Sequence, residues 1–182
     1  NQFKKMSRLA YGRADLVTSL YEQARLLQIE LDCPEQKTTV TPNGIAVERF
    51  QDLPGRTEED EGHINVGTVL RISPIKDVKT MIQAFSAAQE REPALKLWIM
   101  GPWEEGDEYA QECFDLVKEL ELDNVVFTGR IDVRDYLGRM DMTILTSISE
   151  GQPLTILESF AAHKPVIATN VGNCQGLVLG EA

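Results

Sequence analysis

Two glutamates, Glu150 and Glu158, flank the predicted start of a helix. Pro153 suits the first turn of that helix, because the N–H group that proline lacks is not needed there. The backbone amides of Leu154 and Thr155 would then have no partner within the helix, and such a helix N-terminus attracts phosphate. Glu158 lies further along the helix, where a carboxylate can accept hydrogen bonds from a sugar diol. We therefore expect this one segment to bind a phosphate, a ribose and, through Glu150, a second sugar.

Two cations, Arg71 and Lys76, follow an apolar strand predicted at Ile64–Leu70. Pro74 interrupts the backbone between them, so both belong to a strand-to-helix loop. In a parallel sheet this loop lies at the carboxyl edge, on the same side as Glu150. Arginine offers a fork of donors to a diphosphate and lysine adds a point charge, although either could also be an ordinary surface cation.

The two glutamates allow other interpretations. Glu158 could be a helix-surface residue, and Glu150 an anion that stabilises a helix start. A pair of carboxylates also suggests a glycosidase. The position of Glu158 within a helix, and the phosphate-binding elements nearby, favour the sugar-phosphate interpretation.

Strands and helices alternate through most of the chain. We expect strands at Ile64–Leu70, Ala94–Met100, Asn124–Thr128, Met142–Leu145 and Pro165–Thr169, and helices at Asp77–Arg91, Asp107–Leu120, Val133–Met140 and after Pro153. The strands are almost continuously apolar, which is typical of parallel sheets covered on both faces. The pattern predicts an α/β fold with a doubly wound parallel sheet.

Residues 1–45 are expected to belong to a different unit, with residues 46–182 forming the main domain. Helices are predicted near Met6–Gly12 and Tyr21–Leu31, and strands at Leu16–Leu20 and Lys37–Thr41, before a turn at Pro42–Gly44. The N-terminus has neither an initiator Met nor an apolar leader, and the C-terminus stops in what resembles a starting helix. We therefore expect a piece of a longer protein, incomplete at both ends.

Composition limits the class of protein. A chain of 182 residues with 42% hydrophobic and 26% charged residues is typical of a soluble globular protein. The formal net charge of −11 argues against a general nucleic-acid binder, which needs a basic surface. The acidic run Glu58–Glu61 is predicted to be a solvated, mobile loop without a function.

The cysteines and histidines suggest neither a disulfide framework nor a metal site. Cys33, Cys113 and Cys174 lie far apart, and an odd count favours free thiols in a reducing cytoplasm. His63 is expected in a solvated loop, and His163 just past a helix, where it would stabilise the C-terminal end. No apolar run approaches the roughly 20 residues that span a membrane.

Several motifs together resemble the retaining nucleotide-sugar glycosyltransferases of the GT-B fold. They are the E-x7-E element Glu150–Glu158 with the following Pro165–Gly172, the Arg71–Lys76 pair, and Pro42–Phe50, which in that family marks the hinge between two Rossmann-like domains. The resemblance covers nearly the whole chain, with the motifs in the family's order. A narrower resemblance, in Arg71–Thr80, Glu150–Leu154 and Tyr11–Tyr21, is to the PelF-like glycosyltransferases of Pel exopolysaccharide synthesis.

The resemblance implies a role for each candidate residue. Residues 46–182 would be the Rossmann-like donor domain, truncated, and residues 1–45 the tail of the second domain. Arg71 and Lys76 would bind the donor diphosphate, together with the Leu154 and Thr155 amides, and would assist catalysis with Glu150. Glu150 and Gly151 would contact the donor sugar. Glu158 would bind the ribose, and Arg130 and Ile131 would lie near the base. The donor would be a UDP-sugar, with no cofactor and no metal, because the two cations and the helix end neutralise the diphosphate.

The resemblance also implies partners and shows departures. The saccharide acceptor would bind the missing N-terminal domain, the enzyme would be cytoplasmic, and a membrane-bound polysaccharide synthase complex could be its partner. The family often has Phe-Gly in place of Gln152-Pro153, and Gly in place of His163. The fragment alone is expected to transfer nothing. Two alternatives stay open: a nucleotide-sugar epimerase, and a non-catalytic nucleotide-sugar-binding module.

Overall fold

The computed structural model describes residues 2–180. Its helices and strands are, in chain order, α1 (Gln2–Arg13), β1 (Val17–Ser19), α2 (Glu22–Glu30), β2 (Thr38–Val40), β3 (Ile64–Val69), α3 (Val78–Gln89), β4 (Leu95–Met100), α4 (Glu108–Glu119), β5 (Val125–Gly129), α5 (Arg134–Leu137), β6 (Met142–Leu145), α6 (Leu154–Ala161), β7 (Val166–Ala168) and α7 (Cys174–Leu179). Short 3-10 helices lie at Glu35–Lys37, Val47–Phe50, Glu58–Asp60 and Pro74–Lys76. The alternation of strand and helix from β3 onward is as predicted.

Strands β3 to β7 form one parallel sheet in the order β5-β4-β3-β6-β7. Strand β3 is central, with Ile64 opposite Leu95 on one side and Val66 opposite Met142 on the other. The chain builds the sheet outward from β3 through β4 to β5, and then returns to the other side of β3. The predicted α/β fold with a doubly wound parallel sheet is confirmed. The order reverses between β3 and β6, and open α/β sheets bind ligands at such a point.

Strand β4 shows how the sheet is covered on both faces. Leu97 and Ile99 point to one face and pack with residues of α3 and α4. Trp98 and Met100 point to the other face and pack with Leu137 of α5. Because successive side chains of a strand alternate between faces, one apolar strand contributes to both halves of the core.

The first two strands form a separate small sheet. β1 and β2 pair in parallel, from Val17 opposite Thr38 to Ser19 opposite Val40, and join none of the five strands of the main sheet. Helix α2 contacts both strands. The assignment of residues 1–45 to a second domain stays a prediction.

Three residues of the acidic run are exposed as predicted, but the prediction of a solvated loop is wrong for Asp60. Thr57 and Asp60 form a reciprocal capping box around the short helix Glu58–Asp60, and Asp60 is 0% exposed. The Asp60 carboxylate accepts hydrogen bonds from Arg139 at 2.8 and 2.9 Å and from Asn65 Nδ2 at 2.8 Å. The partner that explains this burial stands 79 positions later, so a local charge pattern does not reveal it.

This buried ion pair belongs to a network, here named the Asp60 network, of Asp60, Asn65, Trp98 and Arg139. Trp98 Nε1 donates to Asn65 Oδ1 at 3.0 Å, and the Arg139 guanidinium lies 4.5 Å from the Trp98 ring centroid. Burial by itself would raise the pKa of the Asp60 carboxyl, but the hydrogen bonds from Arg139, Thr57 and Asn65 outweigh it and hold the pKa well below its usual range. Asp60 precedes β3 and Arg139 precedes β6, so the network lies at the amino edge of the sheet.

The remaining differences are small. Helix α5 is shorter than predicted, Pro153 is the N-cap of α6 and not its first helical residue, and His63 is half-buried where a solvated position was expected. The three cysteines are free and buried. None of the helices within residues 2–180 has the length and apolar composition needed to span a bilayer.

Candidate functional site

The loops that follow β3, β6 and β7 meet at the carboxyl edge of the sheet. The Ile148 amide donates to the Ile75 carbonyl at 2.9 Å, which ties the loop after β6 to the loop after β3. The Thr169 hydroxyl donates to the Ser147 carbonyl at 2.7 Å, which ties the loop after β7 to the loop after β6. These bonds bring residues far apart in the chain together at the point where the strand order reverses.

Lys76 and Glu150 form the centre of the site. The Lys76 Nζ atom lies 2.5 Å from Glu150 Oε1, and the Ser147 hydroxyl donates to the same oxygen at 2.6 Å. The Glu150 side chain is only 10% exposed and that of Lys76 is 26% exposed. A largely buried carboxylate is thus paired with one ammonium group. Lys76 follows β3 and Glu150 follows β6, so both lie at the carboxyl edge of the sheet.

Gly172 fixes the backbone of the Glu150 loop from one side. A Cβ atom at Gly172, whose φ is 56°, would lie 2.1 Å from the Glu150 carbonyl oxygen and 2.6 Å from that of Gly151. The Asn173 amide also donates to the Gly151 carbonyl at 2.8 Å. In the sequence, Gly172 is marked only as the last residue of the motif Pro165–Gly172. A glycine soon after a strand is the one local signal for this close approach of two backbone segments.

Helix α6 begins directly after this loop. Its N-cap is Pro153, which offers no side-chain hydrogen bond to the first turn. The amides of Leu154 and Thr155 therefore lack both a helix partner and a side-chain cap. Together with the positive end of the helix dipole, they can bind an anion that lies beside Glu150.

Glu158 lies one turn further along α6 and faces a different surface. It is half-buried and lines a cavity of about 310 Å³ together with residues of the linker, among them Gly44 and Arg49, and with Asp132 and Arg134 after β5. Burial raises the pKa of the Glu158 carboxyl, and the positive charge of Arg49 opposes this effect. The two glutamates eight positions apart thus have different surroundings, Glu150 beside Lys76 and Glu158 at the cavity.

Within residues 2–180, the other candidate residues, Arg71, Arg130 and Ile131, form no hydrogen bond or ion pair with Lys76 or Glu150, and each has its own surroundings. Arg71 follows β3, its side chain is 66% exposed, and its guanidinium lies 3.7 Å from Glu104. Arg130 is exposed at the end of β5. Ile131 is half-buried against the apolar cluster that contains Trp98.

One contact at the site joins two residues that the sequence did not link. The backbone N–H of Asn43 donates to the side-chain oxygen Oε1 of Gln152 at 2.5 Å, and the side-chain nitrogen Nδ2 of Asn43 donates to the backbone carbonyl of Gln152 at 2.7 Å. Gln152 is 5% exposed. Beside it opens a cavity of about 610 Å³ between the first forty-two residues and the loop after β7, lined by Tyr21, Gln23, Pro42, Asn170, Asn173 and Gln175 among others.

Comparison with known proteins connects this arrangement to one family. The family described as glycosyl transferases group 1 matches residues 63–181. The chain is 30% identical over 143 residues to alpha-monoglucosyldiacylglycerol synthase of Streptococcus pneumoniae. The matched region is 71% of this chain and 32% of that protein. It is 26% identical over 172 residues to the putative colanic acid biosynthesis glycosyltransferase WcaL of Escherichia coli, which covers 87% of this chain and 40% of that protein.

Solved structures share the fold. HepE of Anabaena in complex with UDP and glucose superposes with a TM-score of 0.79 at 21% identity, over 94% of this chain and 50% of the HepE chain. The chain thus spans about half of that structure, and less than half of the two relatives named above.

Proposed function

Because the chain belongs to the group 1 glycosyl transferases, we propose that it forms the nucleotide-sugar-binding half of a retaining glycosyltransferase with the GT-B fold. The observation that carries the proposal is the contact between Lys76 and Glu150 beside the uncapped N-terminus of α6. A cation, a carboxylate and free amides at one edge of the sheet suit a diphosphate joined to a sugar. HepE, which shares the fold, was crystallised with UDP and glucose.

The diphosphate is assigned to Lys76, Arg71 and the amides of Leu154 and Thr155. When the bond between sugar and diphosphate breaks, negative charge grows on the leaving diphosphate. Fixed donors aimed at this charge stabilise the transition state more than they stabilise the bound donor. The Lys76 backbone is anchored before the ligand arrives, because its carbonyl accepts a hydrogen bond from the Thr146 hydroxyl at 3.1 Å, so little reorganisation is needed. Arg71 is more exposed and would turn away from Glu104 to reach the diphosphate.

The nucleoside is assigned to the 310 Å³ cavity. Glu158 accepts hydrogen bonds from the two ribose hydroxyls, since an ionised carboxylate has two acceptor oxygens. Arg130 and Ile131, at the end of β5, are assigned to the base. The sugar is then assigned to Glu150 and Gly151, in the loop that precedes the N-terminus of α6.

The donor and the biological role extend this proposal. We assign UDP-glucose or a related UDP-hexose as donor and a saccharide as acceptor, with residues 46–182 as the donor domain and residues 1–45 as the tail of an acceptor domain that precedes them. A role in exopolysaccharide synthesis, of the PelF-like type, fits the naming of WcaL for colanic acid biosynthesis. The enzyme would act in the cytoplasm, beside a membrane-bound polysaccharide synthase complex.

Calorimetric titration of the full-length protein tests the site. We expect UDP and UDP-glucose to bind and GDP-mannose to bind much more weakly. Glu158→Ala and Arg71→Ala should each weaken UDP binding by about tenfold or more, because each removes a charge-assisted interaction. Glu119→Ala and Arg91→Ala are matched controls, since Glu119 is exposed on α4 and Arg91 is exposed in the turn after α3.

Each alternative result has a distinct meaning. Selective binding of GDP-mannose would keep the site and overturn the assigned donor. Binding of UDP that is unchanged by both site variants would overturn the assigned residues. No binding of any of the three ligands by the folded protein would favour a non-catalytic role.

A further inference from the structure

We propose that Gln152 is a positioning residue, which holds Glu150 in place for the donor sugar through its two hydrogen bonds with Asn43. Asn43 lies in the linker between β2 and the helix Val47–Phe50, and Gln152 lies two residues after Glu150. The pair, here named the Asn43–Gln152 latch, therefore connects the linker to the loop of the candidate site. This inference rests on the function proposed above, because it concerns the subsite assigned to the sugar.

Both bonds of the latch run from Asn43 as donor to Gln152 as acceptor. The backbone of Asn43 donates to the side chain of Gln152 at 2.5 Å, and the side chain of Asn43 donates to the backbone of Gln152 at 2.7 Å. Two such bonds fix both the distance and the rotation between the segments, which a single bond cannot do. Gln152 is 5% exposed, so water competes little for these groups and a lost partner leaves a poorly solvated polar atom.

The loop is also held on its opposite side. Gly172 lies directly against the carbonyl groups of Glu150 and Gly151, and the Asn173 amide donates to the Gly151 carbonyl. The Glu150 backbone is thus fixed between the loop after β7 and the linker. If the latch opens, the support from the linker is lost, and the Glu150 carboxylate is held less firmly in its position for the sugar.

The latch should affect the sugar and not the nucleotide. The ribose and diphosphate are assigned to Glu158, to Lys76 and to the amides that begin α6, and α6 is held by its own packing through Ile156, which is 1% exposed. Only the Glu150 loop depends directly on Asn43. A change in the linker path would therefore reach the sugar subsite first, so that domain position and sugar binding are coupled.

Binding of UDP compared with UDP-glucose by the full-length protein tests the latch. Asn43→Ala removes only the bond to the Gln152 carbonyl, and Gln152→Ala removes only the bond from the Asn43 amide. Each variant should weaken UDP-glucose binding by roughly three- to tenfold and leave UDP binding within about twofold of the unchanged protein. The double variant should weaken UDP-glucose binding by less than the product of the two single effects, because both bonds hold the same loop.

Two further variants serve as controls. Gln152→Glu keeps an acceptor oxygen for the Asn43 amide, so the ratio of UDP-glucose affinity to UDP affinity should stay close to that of the unchanged protein. Gln51→Ala removes an exposed glutamine from the same linker region and should change neither affinity.

The outcomes separate the latch from the proposed function. Equal losses of UDP and UDP-glucose affinity, or independent effects that multiply in the double variant, would overturn the latch while UDP binding still supported the function. No UDP binding by the unchanged protein would overturn the function and the latch with it.

Discussion

Glu158 combines a half-buried position with a role that needs its negative charge. Burial raises the pKa of its carboxyl above the ordinary value of 4.5, and Arg49 across the cavity moderates that rise. Only the ionised form accepts hydrogen bonds from both ribose hydroxyls without donating one. The residue is therefore poised so that mild acid removes the charge it needs.

The affinity of the full-length protein for UDP should accordingly fall as the pH is lowered from neutral into the acid range. Because the pKa of Glu158 is raised, protonation begins at a higher pH than for an exposed glutamate. Glu158→Gln should bind UDP about tenfold more weakly at neutral pH and show a flatter pH profile. Calorimetric titration across this pH range measures both effects, and UDP's own titration is common to both proteins.

Arg49→Gln provides the matched control. It removes the charge that lowers the Glu158 pKa, so the loss of affinity should move to higher pH. Asp132 and Arg134 line the same cavity and stay in place in both variants. A pH profile that is the same in Glu158→Gln as in the unchanged protein would contradict the assigned role.

Helix α6 carries the site at its N-terminus and a strained residue at its C-terminus. His163 follows the last residues of the helix with φ of 57°, a left-handed conformation that costs a residue with a Cβ about 1–2 kcal/mol. Glycine adopts this conformation without that cost.

His163→Gly should therefore stabilise the protein by about 1 kcal/mol, measured by urea unfolding. Gly180 ends α7 with φ of 72° and open space around it, so Gly180→Ala is the matched reverse case and should destabilise. UDP affinity should be unchanged in His163→Gly, since the substitution lies at the opposite end of α6 from the free amides. Destabilisation by His163→Gly would show that the imidazole forms a contact worth more than the strain.

The helices and strands of the main sheet were predictable because their signals are local. The α3 stripe of Val78, Met81, Ile82, Phe85 and Ala88 repeats at helical spacing, which predicts one buried face. The first four side chains are buried, and Ala88, in the last turn, is exposed. The loops at the carboxyl edge followed from the parallel topology alone.

What the sequence did not reveal depends on long-range pairing. Asp60 is separated from Arg139 by 79 positions, and Asn43 from Gln152 by 109. Nothing in the local sequence marks a charge or an amide that will be buried by a distant partner. The burial of Asp60 and the Asn43–Gln152 latch are for this reason visible only in the folded structure.

At the scale of the whole molecule, the two edges of the sheet have different chemistry. The candidate site lies at the carboxyl ends of β3 and β6, and the Asp60 network lies at their amino ends. Strand β3 has six residues, so the two groups are separated by roughly 20 Å. The Asp60 network is expected to contribute to stability and not to ligand binding.

Asp60→Ala should destabilise the protein by about 3 kcal/mol at neutral pH, because it leaves the buried Arg139 charge with only the largely exposed Glu59 as its ion-pair partner. The pKa of Asp60 is held low in the folded protein, so its contribution is complete above the ordinary value of 3.8 and is lost as the pH falls below it. The difference in free energy of unfolding between the variant and the unchanged protein should therefore shrink in strong acid. Urea unfolding across the pH range measures it.

Asp115→Ala is the matched control for this prediction. Asp115 pairs with Lys118 on the exposed surface of α4, where a single ion pair contributes little. Its removal should leave the unfolding midpoint unchanged at every pH. If Asp60→Ala lost as little stability as Asp115→Ala, the buried charge of Arg139 would have to find other partners.

The separation of the two edges has a consequence for how this protein can change over time. Substitutions at sites about 20 Å apart, with no shared partners, alter the free energy of unfolding independently of one another. Sequence drift in the loops at Glu150 and Gln152 can thus explore new sugars, while the Asp60 network keeps the sheet folded. The same division lets a protein engineer strengthen the amino edge first and then diversify the carboxyl edge in a library, with fewer members lost to misfolding.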